Sequence, residues 1–202
     1  MSNLILLAKN QIKLASDAVS EAFFNDPLML FLFPKQKERK RKLKSMMELL
    51  IRIGINYGVV NTTSSKLEGI AIWFPSHKVR ITPWMGILNG GIPYFFKLGS
   101  KSVKKQNKLY KYIFSRHIEL MPSPHWYLSI IAINPVFQGK GLSRILFNSM
   151  INQIDKEKLS CFLDTNNERN LHIYKRFGFK ILEEYRIPDT NVINWAMIRE
   201  YY

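Results

Sequence analysis

Apolar residues recur along this chain with two periods, and the switches between them mark its elements. Over Gln11 to Phe24, Ile12, Ala15, Val19, Ala22 and Phe23 stand at helical spacing, and Asn25-Asp26-Pro27 supplies a stop. From Lys35 to Lys44 nearly every residue is charged, yet the run leads into Leu43, Met46, Met47, Leu50, Ile53 and Tyr57 on one helical face. This predicts a second, longer helix ending near Gly58. Gly58 to Thr63 and Lys66 to Phe74 have strand character, and the short polar link Ser64-Ser65 predicts a hairpin closed by Pro75.

Between Thr82 and Glu119, glycines at 86, 90, 91 and 99 and Pro93 interrupt apolar helical pattern, which predicts broken helices. Lys97, Lys101, Lys104, Lys108 and Lys111 repeat at intervals of four, three, four and three, so they line one helix face. A solvated face explains that stripe; a docking stripe for an acidic partner is the sharper alternative. From Trp126 the order is strand to Ile133, helix from Leu142 to Lys156, strand from Leu159 to Asp164 and helix from Asn167 to Arg176. Phe179 to Tyr185 and Val192 to Ile198 follow as closing strands, the last rather exposed. The fold class is therefore α/β in the mixed, α+β sense.

The chain has 202 residues, enough for one substantial core, and a single domain over 1–202 is expected. The start, Met1 to Asn10, has a short apolar run without a basic leader or a small-residue cleavage site, and reads as a first strand or its lead-in. No run approaches the roughly 20 apolar residues of a membrane span, so no membrane partner and a cytoplasmic location are expected. The single cysteine, Cys161, excludes an internal disulfide framework and reads as a small core residue. Histidines at 77, 117, 125 and 172 lack metal-ligand spacing, and no metal is expected. Thirty Lys and Arg against fifteen Asp and Glu give a formal charge of +15, which favours anions without saying which. That charge and the basic cluster at 35–44 keep a nucleic-acid partner open only as a weaker reading, one that requires affinity falling steeply with salt.

The segment Ile131 to Leu146 ends a strand at Pro135, passes through Gln138-Gly139-Lys140-Gly141-Leu142-Ser143 and opens a helix. Glycines there let the backbone approach a bound group, and free N–H groups at the helix start favour an anion. The spacing is neither a P-loop nor a dinucleotide fingerprint. It resembles the coenzyme loop of the GNAT family of N-acetyltransferases: glutamine or arginine, two residues, glycine, one residue, then glycine or alanine, with Ser143 replacing that last small residue. Asn167 to Phe179 resembles the same family's downstream signature, in which Asn167, Asn170, Ile173, Tyr174, Gly178 and Phe179 hold the defining positions. The resemblance is close over Trp126 to Tyr185 and loose before it, with a coenzyme-binding core at about 124–187.

That resemblance implies a mixed, mostly antiparallel sheet flanked by helices and splayed at an acetyl-CoA site, with acetyl-CoA as co-substrate. It implies that the strand Ile131, Ala132, Ile133 meets the pantetheine arm, and that Gln138, Gly139, Lys140, Gly141, Leu142, Ser143 and Arg144 cradle the pyrophosphate. Asn167 and Asn170 would hold the coenzyme from the other side, helix capping being the plain alternative. Tyr174 is the implied catalytic residue, a phenol near the departing sulfur. Glu119, His125, Glu68, His77 or a water are candidates for the base. Trp73, Phe74, Trp84 and Trp126 are candidates for an acceptor pocket. The expected acceptor is a small-molecule primary amine, served by a monomer or homodimer; protein lysine or N-terminal acetylation, or non-catalytic sensing of acetyl-CoA, are the rivals.

Overall fold

The computed structural model describes residues 5–201. Of the apolar start, Met1 to Leu4 lie outside the described residues and Ile5–Leu6 form a short strand, β1. Helix α1 (Ile12–Ala22) follows, and then a short helix α2 (Pro27–Leu32) where Asn25-Asp26-Pro27 predicts only a stop. Asp26 explains the difference: its side chain accepts from the N–H groups of Leu28 and Met29, so the Asp-Pro pair that ends one helix starts the next. Helix α3 (Gln36–Tyr57) runs to Gly58 as expected. Within its basic first half, Arg39 and Lys42 are buried rather than solvated. Arg39 donates to the carbonyls of Phe33 and Pro34 and lies over the Phe24 ring, while Lys42 reaches Glu38 and Ser102.

The hairpin is β2 (Val59–Thr62) and β3 (Gly69–Pro75). Three helices fill the glycine-broken middle: α4 (Pro83–Leu88), α5 (Gly91–Leu98) and α6 (Ser100–Leu120). The lysine stripe lies on the exposed face of α5 and α6, as a solvated face should. Then come β4 (His125–Ile133), α7 (Leu142–Lys156), β5 (Ser160–Thr165), α8 (Leu171–Arg176), β6 (Lys180–Arg186) and β7 (Ile193–Arg199).

The described strands form one sheet in the order β1-β2-β3-β4-β5-β7-β6, antiparallel throughout except for the parallel pair β4–β5. Because β7 inserts between β5 and β6, it is mostly buried and β6 is the exposed edge, the reverse of the exposed last strand that the sequence suggested. Strand alternation divides the core between two faces. Ile70, Ile72 and Phe74 of β3 point to the side packed by α1, α3 and α4 to α6, whereas Ala71 and Trp73 point to the side packed by α7 and α8.

Asn61 ties that second side together from a fully buried position. Its amide donates to the Leu146 carbonyl and the Ser149 hydroxyl of α7, and its oxygen accepts from the Trp73 indole. Asn61→Ala is expected to cost about 2–3 kcal/mol in a denaturant melt, because it leaves the Trp73 N–H buried without a partner.

Candidate active site

Strands β4 and β5 are neighbours only from His125 to Leu128 and from Ser160 to Leu163. Beyond Leu128 and Leu163 they part, and the register of β4 against β3 shifts at the same place, between Ile72 and Trp73. The edge of β4 turned away from β3 is therefore open from Ser129 to Ile133, a row of backbone donors and acceptors with no strand to meet them. Ile131, Ala132 and Ile133 all lie on this open stretch.

At its end, Asn134 opens a single 3-10 turn by accepting from Val136 N–H, and the Gln138 amide donates back to the Ile133 carbonyl. Gly139 and Gly141 have φ of +78° and +74°, which L side chains rarely adopt, and a Cβ at either would meet nothing within 4 Å. Gly141 sits at the N-terminus of the 15-residue α7 with no side chain capping it, so the first N–H groups of that helix face outward beside an exposed loop. Lys140 and Arg144 are exposed there, Lys140 lying over the Phe137 ring. An open strand edge, a glycine loop with free space and an uncapped helix start suit a long ligand with an apolar-amide arm and phosphates.

Tyr174 is buried on α8 between Phe147 and Phe179. Burial raises its pKa, the charge of Asp26 adds to the rise, and the side chains of Thr165 and Asn170 partly offset it. The phenol is therefore a proton-bearing group at neutral pH. Asn167 uses its oxygen on the N–H of Arg169, the capping role, whereas Asn170 turns to Tyr174.

Tyr174 and Asn170 line a cavity of about 790 Å³ that takes in Ser129, Ile130 and Ile131 of the open edge and continues beneath α3 to α6. Of the aromatic residues proposed for an acceptor pocket, only Phe74 lines it. Trp73 is bound to Asn61, Trp126 donates to Glu157 and Trp84 stands in solvent.

Glu68, His77, Glu119 and His125 do not line the cavity. Glu68 is held by Thr63 and Ser64, and Glu119 pairs with Arg116 on the surface. His125 lies at the far end of β4, its ring between the Ser123 carbonyl and His117, and burial lowers the pKa of both histidines. Two carboxylates line the cavity instead: Asp26, and Asp164 on β5. Burial raises the pKa of each. The Asp-Pro pair and a lone acid in an otherwise apolar strand were the available sequence signals for them. Among the described residues no cluster of His, Cys, Asp or Glu could hold a metal ion, and no helix is long and apolar enough to cross a membrane.

A family model described as the acetyltransferase (GNAT) family matches residues 99–179, the stretch from α6 through β4, the glycine loop, α7 and Tyr174. This stretch belongs to the GNAT acetyltransferase family. GNAT relatives bear on the rest of the chain as well. It is 28% identical over 179 residues to an uncharacterised N-acetyltransferase of Schizosaccharomyces pombe, covering 85% of this chain and 71% of that protein. The GNAT fold extends over nearly the whole length. A Corynebacterium glutamicum structure titled histone acetyltransferase HPA2 and related acetyltransferase superposes with a TM-score of 0.67 at 20% identity, covering 99% and 96% of the two chains. Arylalkylamine N-acetyltransferase 2 of Aedes aegypti does so with a TM-score of 0.63 at 10% identity, covering 99% of each. Acetyl-CoA is the co-substrate of the GNAT family, and the open β4 edge and glycine loop fit it.

Proposed function

We propose that the protein transfers the acetyl group of acetyl-CoA to the primary amine of a small molecule, by direct attack within a ternary complex. The observation that carries this reading is the parting of β4 from β5 after Leu128 and Leu163, which puts the open strand edge and Tyr174 in one cavity. Acetyl-CoA supplies an activated thioester. The open edge of β4 would hold its arm, and Gln138 to Arg144 with the start of α7 would hold its phosphates. The amine nitrogen forms the new bond to the acetyl carbon, the carbon–sulfur bond breaks, and its electron pair goes to sulfur. Tyr174, protonated throughout, donates a hydrogen bond to that sulfur as charge develops.

The proton that the amine must lose needs an acceptor inside the cavity, and Asp26 and Asp164 are the carboxylates there. The roof of the cavity supports a small acceptor. Helices α4 to α6 cover the cavity with residues such as Ile87, Tyr94, Phe95 and Tyr110, and that apolar lining offers few partners for the backbone of a peptide.

The test is calorimetric titration with acetyl-CoA, followed by thiol release against small amines and lysine peptides. Binding with release on small amines is expected. Release on peptides alone would overturn the acceptor class, and absence of acetyl-CoA binding would overturn the whole reading.

A further inference from the structure

Asp164 is unusual among the acids of this chain. Both carboxylate oxygens are shut off from solvent and accept no hydrogen bond, although the residue as a whole is half-buried along the cavity wall. Tyr127 is the donor side chain nearest in effect, and it does not close a regular hydrogen bond to Asp164.

Sheet register explains what gathers around it. Tyr127 stands opposite Phe162 on β5, two residues before Asp164, and Tyr185 of β6 stands opposite Asn194 of β7, two residues from the Ala196 that faces Asp164. Period-two alternation puts Tyr127, Asp164, Asn194 and Tyr185 on one face of the sheet. The Tyr185 hydroxyl and both polar atoms of the Asn194 side chain are also buried without a hydrogen-bond partner. Buried polar groups are nearly always satisfied, and here several go unused side by side, with Asp164 and Asn194 on the cavity wall.

The charge of the cavity opposes that of the molecule. The chain carries thirty Lys and Arg, yet among the described residues none lines the cavity, whereas Asp26 and Asp164 do. Asp26 has Oδ1 committed to the start of α2. That leaves Asp164 as the acid with both oxygens unused, set in a lining dominated by Met, Leu, Ile, Phe and Tyr.

We infer that Asp164, with Asn194 and Tyr185 beside it, seats the ammonium group of the acceptor, and that the acceptor is a monoamine on an uncharged apolar body, an aryl- or alkylamine. The inference deepens the proposed acetyl transfer and rests on it for the word acceptor. An amino acid fits poorly because no lysine or arginine meets its carboxylate. A polyamine fits poorly because its further ammonium groups would lie against apolar walls. Burial holds the Asp164 carboxyl up at about 7, and an ammonium seated on it favours the ionised form.

The test is calorimetric binding of 2-phenylethylamine, of its uncharged analogue 2-phenylethanol, of 3-phenylpropionate and of spermidine, each with and without CoA. Wild type is expected to bind the amine at least tenfold more tightly than the other three. Asp164→Asn, close to isosteric, should lower affinity for the amine to that for the alcohol while acetyl-CoA binding is unchanged. That variant should melt no lower than wild type above pH 7, because it removes a buried charge; Asn194→Leu gives a second reading, a weaker loss of the same selectivity. Failure to bind the amine in either condition, equal binding of amine and alcohol, preference for spermidine, or an Asp164→Asn protein as tight as wild type for the amine would each overturn the inference. Loss of acetyl-CoA binding in wild type would sink the proposed transfer and leave the cation preference separately measured.

Discussion

Replacing Tyr174 with phenylalanine is expected to lower the turnover number about a hundredfold or more while acetyl-CoA affinity stays where it was. The split follows from where the hydroxyl sits. The ring is packed between Phe147 and Phe179, and a phenylalanine ring fills the same space, so the helix that carries it keeps its place. Tyr174 lines the cavity, and Thr165 and Asn170 are the side chains beside its hydroxyl. Its hydrogen bond matters most when the sulfur carries charge, a condition of the transition state rather than of the bound thioester. Steady-state kinetics on the best small amine, with a calorimetric Kd for acetyl-CoA on the same sample, reads both quantities. An unchanged turnover number would remove Tyr174 from the chemistry.

Gly141→Glu is expected to weaken acetyl-CoA binding at least a hundredfold without unfolding the protein. Space is not the obstacle, since a Cβ at this position meets nothing within 4 Å. Two other effects add. The φ of +74° strains any L side chain by about 1 kcal/mol, and a carboxylate at the start of α7 would face the coenzyme phosphates. At about 4 Å, a pair of unit charges near a protein surface repels by about 4 kcal/mol, so the charge should dominate. Gly141→Ala separates the two, because it brings the strain without the charge and should cost less than tenfold. Equal loss in both variants would show that backbone strain, not phosphate repulsion, governs this loop.

The second half of the chain was legible because its signals are local. Glycine with positive φ at position 141 followed by clean helical spacing marks the start of α7, and the run Leu142–Lys156 is the helix that the spacing predicts. The parting of β4 and β5 came only through the resemblance to a family, since neither strand's pattern shows where its neighbour stops. The meeting of Asp164 with Asn194 was illegible for a related reason: they share a face only because β7 lies between β5 and β6, a pairing that sequence order does not express. In the basic run at 35–44, the burial of Arg39 and Lys42 runs against the average, in which charged side chains are exposed. Their burial depends on carbonyls at Phe33 and Pro34 and on Ser102, groups that the helical period does not locate.

The interior position of β7 also orders the events of synthesis. When β6 leaves the ribosome it has no strand beside it, and β5 has one free edge, until the residues of Ile193–Arg199 emerge and enter between them. A nascent chain paused before that point exposes one edge of β5 and both edges of β6, the arrangement that invites pairing with another copy. Arg199 then fastens the inserted strand to Asp155 of α7 at 2.6 Å, so β7 also secures the helix that begins at the glycine loop.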